Sequence, residues 1–304
     1  MVKFNYPFTA VIGQHLMKRA VLLSIIDSNL SSVLLRGFKG TGKSTIVSSL
    51  VDIVPDIEVI SGCRYNCDPR DRTTMCPDCM ERENSGGFDT EIIPMPVLNL
   101  ARFPDILSKR KKTLESWSED FRILATANRG IVVMEKANIY DGRTVEAMLN
   151  SANAGFNVKN KSAPVRFTFI ATVNLEDGDL SPEIIEMFTF NVNVTDITDI
   201  EERIEITKRA IEFRKNPELF VKRFAAEQDR LRKRLTKARE DLGTVECPPK
   251  IQNLITDMCG SFRLKKIESI IKTASVANAA YDGKRYVSAD DIKNVLDITI
   301  AGKV

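Results

Sequence analysis

The segment Gly37-Phe38-Lys39-Gly40-Thr41-Gly42-Lys43-Ser44 constrains this chain more than any other stretch. It satisfies G-x-x-x-x-G-K-[ST] and follows the apolar, strand-like run Ser32-Val33-Leu34-Leu35. Glycines allow the backbone to turn its N–H groups inward around an anion, and a helix from Lys43 to Val51 would point its positive end at the same anion. Gly37, Gly40, Thr41 and Gly42 are therefore expected to cradle phosphate, with Thr45 beside them. Lys43 would neutralise β/γ-phosphate charge, and Ser44 would ligate Mg²⁺. A nucleotide carried with Mg²⁺ is the expected ligand.

The motif implies a strand-helix fold, and the flanking sequence agrees. Between Ser32 and Phe190, short runs rich in β-branched residues alternate with helical patterns, the rhythm of an α/β unit with a mainly parallel sheet. The runs are Ser32 to Arg36, Ile57 to Ile60, Pro96 to Leu100, Gly130 to Met134, Arg166 to Val173 and Phe188 to Val194. From Ile200 the composition shifts toward charge. Phe224, Leu231, Leu235 and Ala238 share one stripe of a long helix spanning Glu218 to Glu240. Cys247-Pro248-Pro249 interrupts helix, and Ile251 to Cys259, Leu264 to Tyr281 and Ala289 to Ile298 read as three more helices. The expected organisation is an α/β domain over 1–198, a helical linker over 199–246 and a small all-helical domain over 247–304.

Composition narrows the chemistry. The 304 residues suffice for about two domains, and 43% hydrophobic content can fill a core in each. The 44 Lys plus Arg against 41 Asp plus Glu leave a net charge of +3, too small to favour nucleic acid as a partner. His15 is the single histidine, which excludes a multi-histidine metal site. No apolar run approaches the roughly 18 residues of a membrane span. Asn5, Tyr6 and Pro7 interrupt the apolar stretch a signal peptide needs, so a cytoplasmic location with mostly reduced cysteines is expected.

Further landmarks follow in order: Phe8-Thr9-Ala10-Val11-Ile12-Gly13-Gln14, then Cys63-Arg64-Tyr65-Asn66-Cys67-Asp68-Pro69 with Met75-Cys76-Pro77-Asp78-Cys79. Ala127-Asn128-Arg129-Gly130 enters a strand, and Ser151-Ala152-Asn153-Ala154-Gly155 leads to a hairpin. Together they resemble the ATPase subunit of magnesium chelatase, a member of the AAA+ superfamily. The resemblance covers most of the chain and thins after Asp196. It implies an AAA+ P-loop core followed by a long helix and a helical lid, with ATP and Mg²⁺ as cofactors. It also implies an oligomeric ring and two kinds of partner: a second AAA+ subunit with an integrin-I-type domain, and a porphyrin-binding subunit that inserts metal into a tetrapyrrole.

Several positions depart from the family. Hydrolysing AAA+ proteins end their third core strand with Asp-Glu, whereas here Ile131-Val132-Val133-Met134 ends in Glu135-Lys136. The resemblance puts Glu135 at the metal position and Lys136 where the base belongs. A one-residue slip would instead make Glu135 the base and put Met134 at the metal. Met187 in Ile184-Ile185-Glu186-Met187-Phe188 stands where relatives carry an arginine finger, and Leu98 to Arg122 replaces a partner-facing insert. Asn174 and Arg263 persist at the two sensor positions that contact γ-phosphate or water. Binding groups are kept and cleaving groups changed, so hydrolysis is expected to be weak. The alternative is a non-hydrolysing regulatory or scaffold subunit that assembles with an active paralogue.

Cys63, Cys67, Cys76 and Cys79 supply four thiols within seventeen residues, spaced to chelate Zn²⁺ as two elbows. Redox-active thiols and plain packing are the alternatives. Cys247 and Cys259 stand apart. Lys109-Arg110-Lys111-Lys112 reads as a solvated helix face, Trp117 and Phe121 as a helix anchor, and His15 as a surface residue near an expected adenine pocket.

Overall fold

The computed structural model describes residues 4–103, 123–154, 156–158, 161–261 and 267–301. The phosphate-loop strand, β1 (Ser32–Gly37), is buried on both faces through Val33, Leu34 and Leu35, as a central parallel strand must be. It pairs in parallel with β8 (Thr168–Asn174) on one side and β9 (Phe190–Val194) on the other. Beyond β8 come β5 (Ile131–Met134) and β4 (Val97–Asn99), also parallel, giving the order β4-β5-β8-β1-β9. The expected mainly parallel α/β core is present.

One run behaves differently. Ile57 to Ile60 lies in β2 (Asp56–Ile60), which leaves the main sheet and pairs antiparallel with β3 (Thr90–Pro94). Asp56 is exposed and Glu58 is half-buried, alternating with buried Ile57 and Val59. That one-sided pattern suits a ribbon rather than a strand covered on both faces. A second ribbon, β6 (Phe156–Val158) with β7 (Lys161–Val165), is the hairpin expected after Ser151.

Two apolar clusters sandwich the sheet. On one face α4 (Gly142–Ala154) contributes Val145, Met148 and Leu149, and α5 (Pro182–Met187) contributes Ile185. On the other face lie α1 (His15–Ile26) and α2 (Lys43–Ser49). The latter cluster continues into the C-terminal helices through Leu235 and Ala238 of α7 (Pro217–Asp241), Ala274 and Ala277 of α9 (Glu268–Tyr281), and Val295 and Ile298 of α10 (Ala289–Ile300). The region 199–246 holds two α-helices, the second of them the long helix expected over Glu218 to Glu240. α6 (Ile200–Lys215) stops at Asn216, whose side chain accepts the Leu219 N–H to open α7 at Pro217. α8 (Pro249–Ser261) begins at the proline pair, where the missing N–H costs nothing. α3 (Pro77–Asn84) lies in the insertion between β2 and β3. No helix among the described residues is long and apolar enough to cross a membrane.

Candidate functional site

Residues 37–45 form the turn from β1 into α2, at the carboxyl edge of the parallel strands, where open α/β sheets bind ligands. Gly40 and Gly42 adopt φ +92° and +90°, a region that favours glycine, and a side chain built on either would meet nothing within 4 Å. The loop is thus an open concavity. Lys43 is buried, and its Nζ donates to the Gly37 and Phe38 carbonyls at 2.7 Å each and to Thr41 Oγ1 at 3.1 Å. Burial pulls its pKa below the ordinary lysine value, while Glu176 and Asp196 pull it back up. A charged ammonium held in this way has much to gain from an anion.

Gly40, Thr41, Gly42 and Thr45 line one wall of a cleft of about 870 Å³, a size that admits a nucleotide. The facing wall comes from Ile12 and Gln14, and from Asp196, Ile197, Arg203 and Arg214 on and before α6. Gln14 holds φ +53° and its side chain donates to the Thr195 carbonyl at 2.9 Å, tying the N-terminal segment across the cleft. His15 opens α1 exposed and does not line this cleft.

Ser44 and Thr45 also border a second cleft, of about 540 Å³, together with Asn99 and Glu135. Glu135 Oε1 accepts a hydrogen bond from Asn99 Nδ2 at 2.9 Å. Met134 is fully buried, so the register that needs it at a metal finds no support. Lys136 takes a left-handed backbone, φ +54°, donates its N–H to Thr172 Oγ1 at 3.0 Å and leaves its side chain exposed. Asn174 stands opposite Gly37 in the β1–β8 register, and Asn138 Nδ2 donates to its carbonyl at 3.0 Å. Met187 is half-buried against the α4 face of the core and borders a different cleft, of about 330 Å³, shared with Arg166 and Asn153. Arg263 and the 109–112 and 117–121 readings fall outside the described residues.

The four thiols meet at the other end of the sheet. Sγ atoms of Cys63, Cys67, Cys76 and Cys79 all lie within 4.8 Å of one another. The last three are buried and Cys63 is half-buried. A hydrogen bond from the Cys67 thiol, reinforced by the Tyr65 N–H at 3.3 Å, draws the Cys63 pKa down to about 5. The proton that stabilises Cys63 is held on Cys67, whose own pKa is pushed up, and burial raises Cys79. Cys259 packs among Ile255, Ile267 and Ile271, as an ordinary core residue does, and Cys247 is partly buried beside them.

No family model matches the chain. A magnesium-chelatase subunit ChlI homolog of Methanocaldococcus jannaschii is 36% identical over 315 residues, covering 99% of this chain and 86% of its own length. The chain belongs to the magnesium-chelatase ChlI family. The magnesium-chelatase 38 kDa subunit of Acidiphilium rubrum is 33% identical, covering 95% of this chain and 88% of the relative. A solved structure of a Cytophaga hutchinsonii protein classed as an ATPase superposes with a TM-score of 0.53 at 15% identity, over 96% of this chain and 83% of the other, a likeness of fold.

For this chelatase-family chain the sequence brought out the near wall of the nucleotide-sized cleft and, in Ile12 and Gln14, part of the far one, and missed the rest. Asp196, Arg203 and Arg214 carry no local motif, and only the fold carries α6 back toward the loop. Glu176 was missed as well. It follows Asn174 in the turn after β8 and acts on Lys43 through space.

Proposed function

We propose that this chain is the ATP-binding AAA+ motor subunit of a metal chelatase, driving insertion of magnesium or another metal into a tetrapyrrole on partner subunits. The observation that carries the reading is the meeting of the glycine loop, Lys43, Ser44 and Glu135 around adjoining clefts, in a chain of the ChlI family. The open loop, the buried ammonium and a hydroxyl beside a carboxylate fit ATP with Mg²⁺ in their donor chemistry.

Bound Mg²⁺·ATP would supply a transferable phosphoryl group and the free energy of its release. Loop N–H groups at Gly40 to Lys43 would donate to phosphate oxygens, and the Lys43 ammonium would pair with the anion. Ser44 and Glu135 would hold Mg²⁺, Asn174 would orient water or the γ-phosphate, and Arg263 keeps the second-sensor role that the family resemblance gives it. Ile12, Gln14 and the α6 residues would enclose the base and ribose. Lys136 offers no carboxylate to activate water, and Met187 offers no charge to a neighbour, so hydrolysis by the isolated chain is slow. The alternative of a scaffold without turnover is less favoured, because the relatives are named as chelatase subunits.

The same reading divides the chain into a nucleotide-binding domain over 1–198, a helical linker over 199–246 and a lid over 247–304. It makes the protein a cytoplasmic member of an oligomeric ring. Its partners are an AAA+ subunit with an integrin-I-type domain and a porphyrin-binding subunit, with no role for nucleic acid. Zinc on Cys63, Cys67, Cys76 and Cys79 belongs to this reading as a resident ion with no part in phosphate chemistry.

The test is ATP affinity and turnover of the purified chain, alone and mixed with an active homologue. Micromolar binding with slow turnover that rises with the partner supports the motor. Turnover that stays absent in every mixture would return the scaffold reading. Loss of all nucleotide retention at millimolar ATP and Mg²⁺ would overturn both.

A further inference from the structure

The insertion joining β2 to β3, residues 61–89, carries too little apolar material to hold itself. The buried hydrophobic members of its cluster are Ile60, Cys67, Met75, Cys76 and Cys79, and three of those five are cysteines. Tyr65, Met80 and Phe88 are only partly buried against them. Small folded units with so thin a core use disulfides or a metal as a staple. The thiols are placed for the second. A tetrahedral Zn²⁺ with sulfurs at about 2.3 Å has sulfur–sulfur edges of about 3.8 Å. Cys63 and Cys76 sulfurs stand 3.9 Å apart, and all four lie within 4.8 Å, so an adjustment of about 1 Å closes the shell. Main-chain N–H groups already aim at two of these sulfurs, Tyr65 at Cys63 (3.3 Å) and Cys76 at Cys67 (3.2 Å). Such bonds onto ligand atoms are the outer support of a metal site. Disulfides would satisfy sulfurs in separate pairs and give no reason for all four to converge.

The cysteine loop is also where the insertion grips the rest of the protein. Asn128 Nδ2 donates to the Tyr65 carbonyl at 2.5 Å, and Asn66 Nδ2 donates to the Thr126 carbonyl at 3.0 Å. Arg129 donates to the Glu58 carbonyl at 2.6 Å and pairs with Asp68 at 2.7 Å. Tyr65 and Asn66 lie between the first two thiols, and Asp68 follows Cys67. Asn128 Oδ1 in turn accepts the Arg166 N–H at 2.8 Å, and the Arg129 N–H reaches the Arg166 carbonyl at 2.7 Å. The left-handed backbone of Arg129, φ +62°, is held by this network. One cluster of contacts therefore joins the thiols to the amino-terminal approaches of β5 and β8, away from the phosphate loop.

We propose that one Zn²⁺ on Cys63, Cys67, Cys76 and Cys79 is the clasp that seats residues 63–68 on Asn128 and Arg129. The clasp rests on the zinc assignment above and goes beyond it by giving the ion a mechanical role. Binding is acid–base exchange without electron transfer: each remaining thiol proton leaves to solvent as its Zn–S bond forms, and zinc stays divalent. Loss of the ion would unseat the loop and release Arg129 while the nucleotide cleft keeps its shape.

The experiment uses the full chain purified under reducing conditions without chelators. Zinc is measured by elemental analysis, Co²⁺ is substituted for it, and hydrogen exchange and ATP affinity are compared with and without metal. About one zinc per chain and thiolate-to-cobalt charge-transfer bands are expected, both lost in Cys63→Ser with Cys76→Ser. Stripping the metal should raise exchange at residues 61–68 and 126–129 about tenfold and change ATP affinity less than about threefold. Less than about a tenth of an equivalent of zinc, with no cobalt bands, would overturn the assignment and leave the phosphate-loop reading intact. A full equivalent with unchanged exchange at 126–129 would overturn the clasp alone. Should the double variant fail to fold, the metal-stripped native chain and Asn66→Ala decide. Asn66→Ala should keep its zinc and loosen 126–129, and unchanged exchange there would count against the clasp.

Discussion

Glu135 and Lys136 are adjacent, yet the backbone sends them to different surroundings. Glu135 stays half-buried on the cleft beside Ser44, held by Asn99, whereas Lys136 turns left-handed and exposes its ammonium. A carboxylate at 136 would face the same exposed turn, which predicts that Lys136→Glu is tolerated by the fold. Combined with Met187→Arg it should raise ATPase turnover by about tenfold or more, measured as phosphate release at saturating ATP. Equal turnover in the double variant and the native chain would mean that other groups already supply base and finger. Lys18 poses a separate question of charge. Burial, helped by Arg209, lowers its pKa from 10.5 to about 8, against the pull of Glu202. The folded state therefore penalises the protonated form, fully below about 8, and the penalty disappears as pH rises through 8 toward 10.5. The unfolding free energy of the native chain should climb relative to Lys18→Met across that window, which denaturant titrations at successive pH values would read. A flat difference would sink the assignment.

Helix α10 shows how an element can depend on one buried carboxylate. Ser288 and Asp291 form a reciprocal capping box, and Asp291 also accepts Asn278 Nδ2 at 2.7 Å and Lys284 Nζ at 2.8 Å. Arg19 of α1 donates to Asn278 in turn, so the cap of α10 reaches the first helix of the chain through α9. Burial works to raise the Asp291 pKa, but the bonds from Lys284, Ser288 and Asn278 outweigh it and hold the carboxyl below the usual range. Asp291→Ala would strand those donors and should cost about 3 kcal/mol. The cost would be complete above the ordinary value of 3.8 and would shrink as pH falls toward the depressed one, because the native carboxylate is then protonated too. Chemical denaturation at pH 7 and pH 3 compares the two. The elements were legible where their signals are local. The glycine loop marks β1 and α2, and the apolar stripe Phe224-Leu231-Leu235-Ala238 marks α7 within a residue or so at each end. β3 was not, because Thr90-Glu91-Ile92-Ile93-Pro94 is largely exposed, carries a charge and ends in proline, so it resembles a loop until β2 pairs with it. The rest of the cleft's far wall escaped for a related reason: Asp196 and Arg214 acquire their position from packing that no neighbouring residue announces.

Across the whole molecule the nucleotide-sized cleft and the C-terminal helices share one apolar core. Ile46 and Val47 of α2, behind the phosphate loop, belong to the same buried cluster as Leu235, Ala277 and Val295. Tyr6 adds a second tie, packing its ring on Phe213 at 5.2 Å and on Phe220 at 5.2 Å, so the N-terminal segment that covers the cleft is pinned to α6 and α7. Helices connected in this way should not melt while the sheet stays folded, because their removal would expose the face of α1 and β9 on which they rest. Ligand on the loop should then stabilise all of it by mass action, adding about 2.7 kcal/mol when ATP exceeds its dissociation constant a hundredfold. Scanning calorimetry of the full chain should show one main transition that moves up by several degrees with Mg²⁺·ATP. Lys43→Ala should keep a single transition, lowered because the Gly37 and Phe38 carbonyls lose their donor, and should lose the upward shift with Mg²⁺·ATP. Two well-separated transitions, only one of them moved by ATP, would mean that the shared cluster does not couple the helices to the sheet.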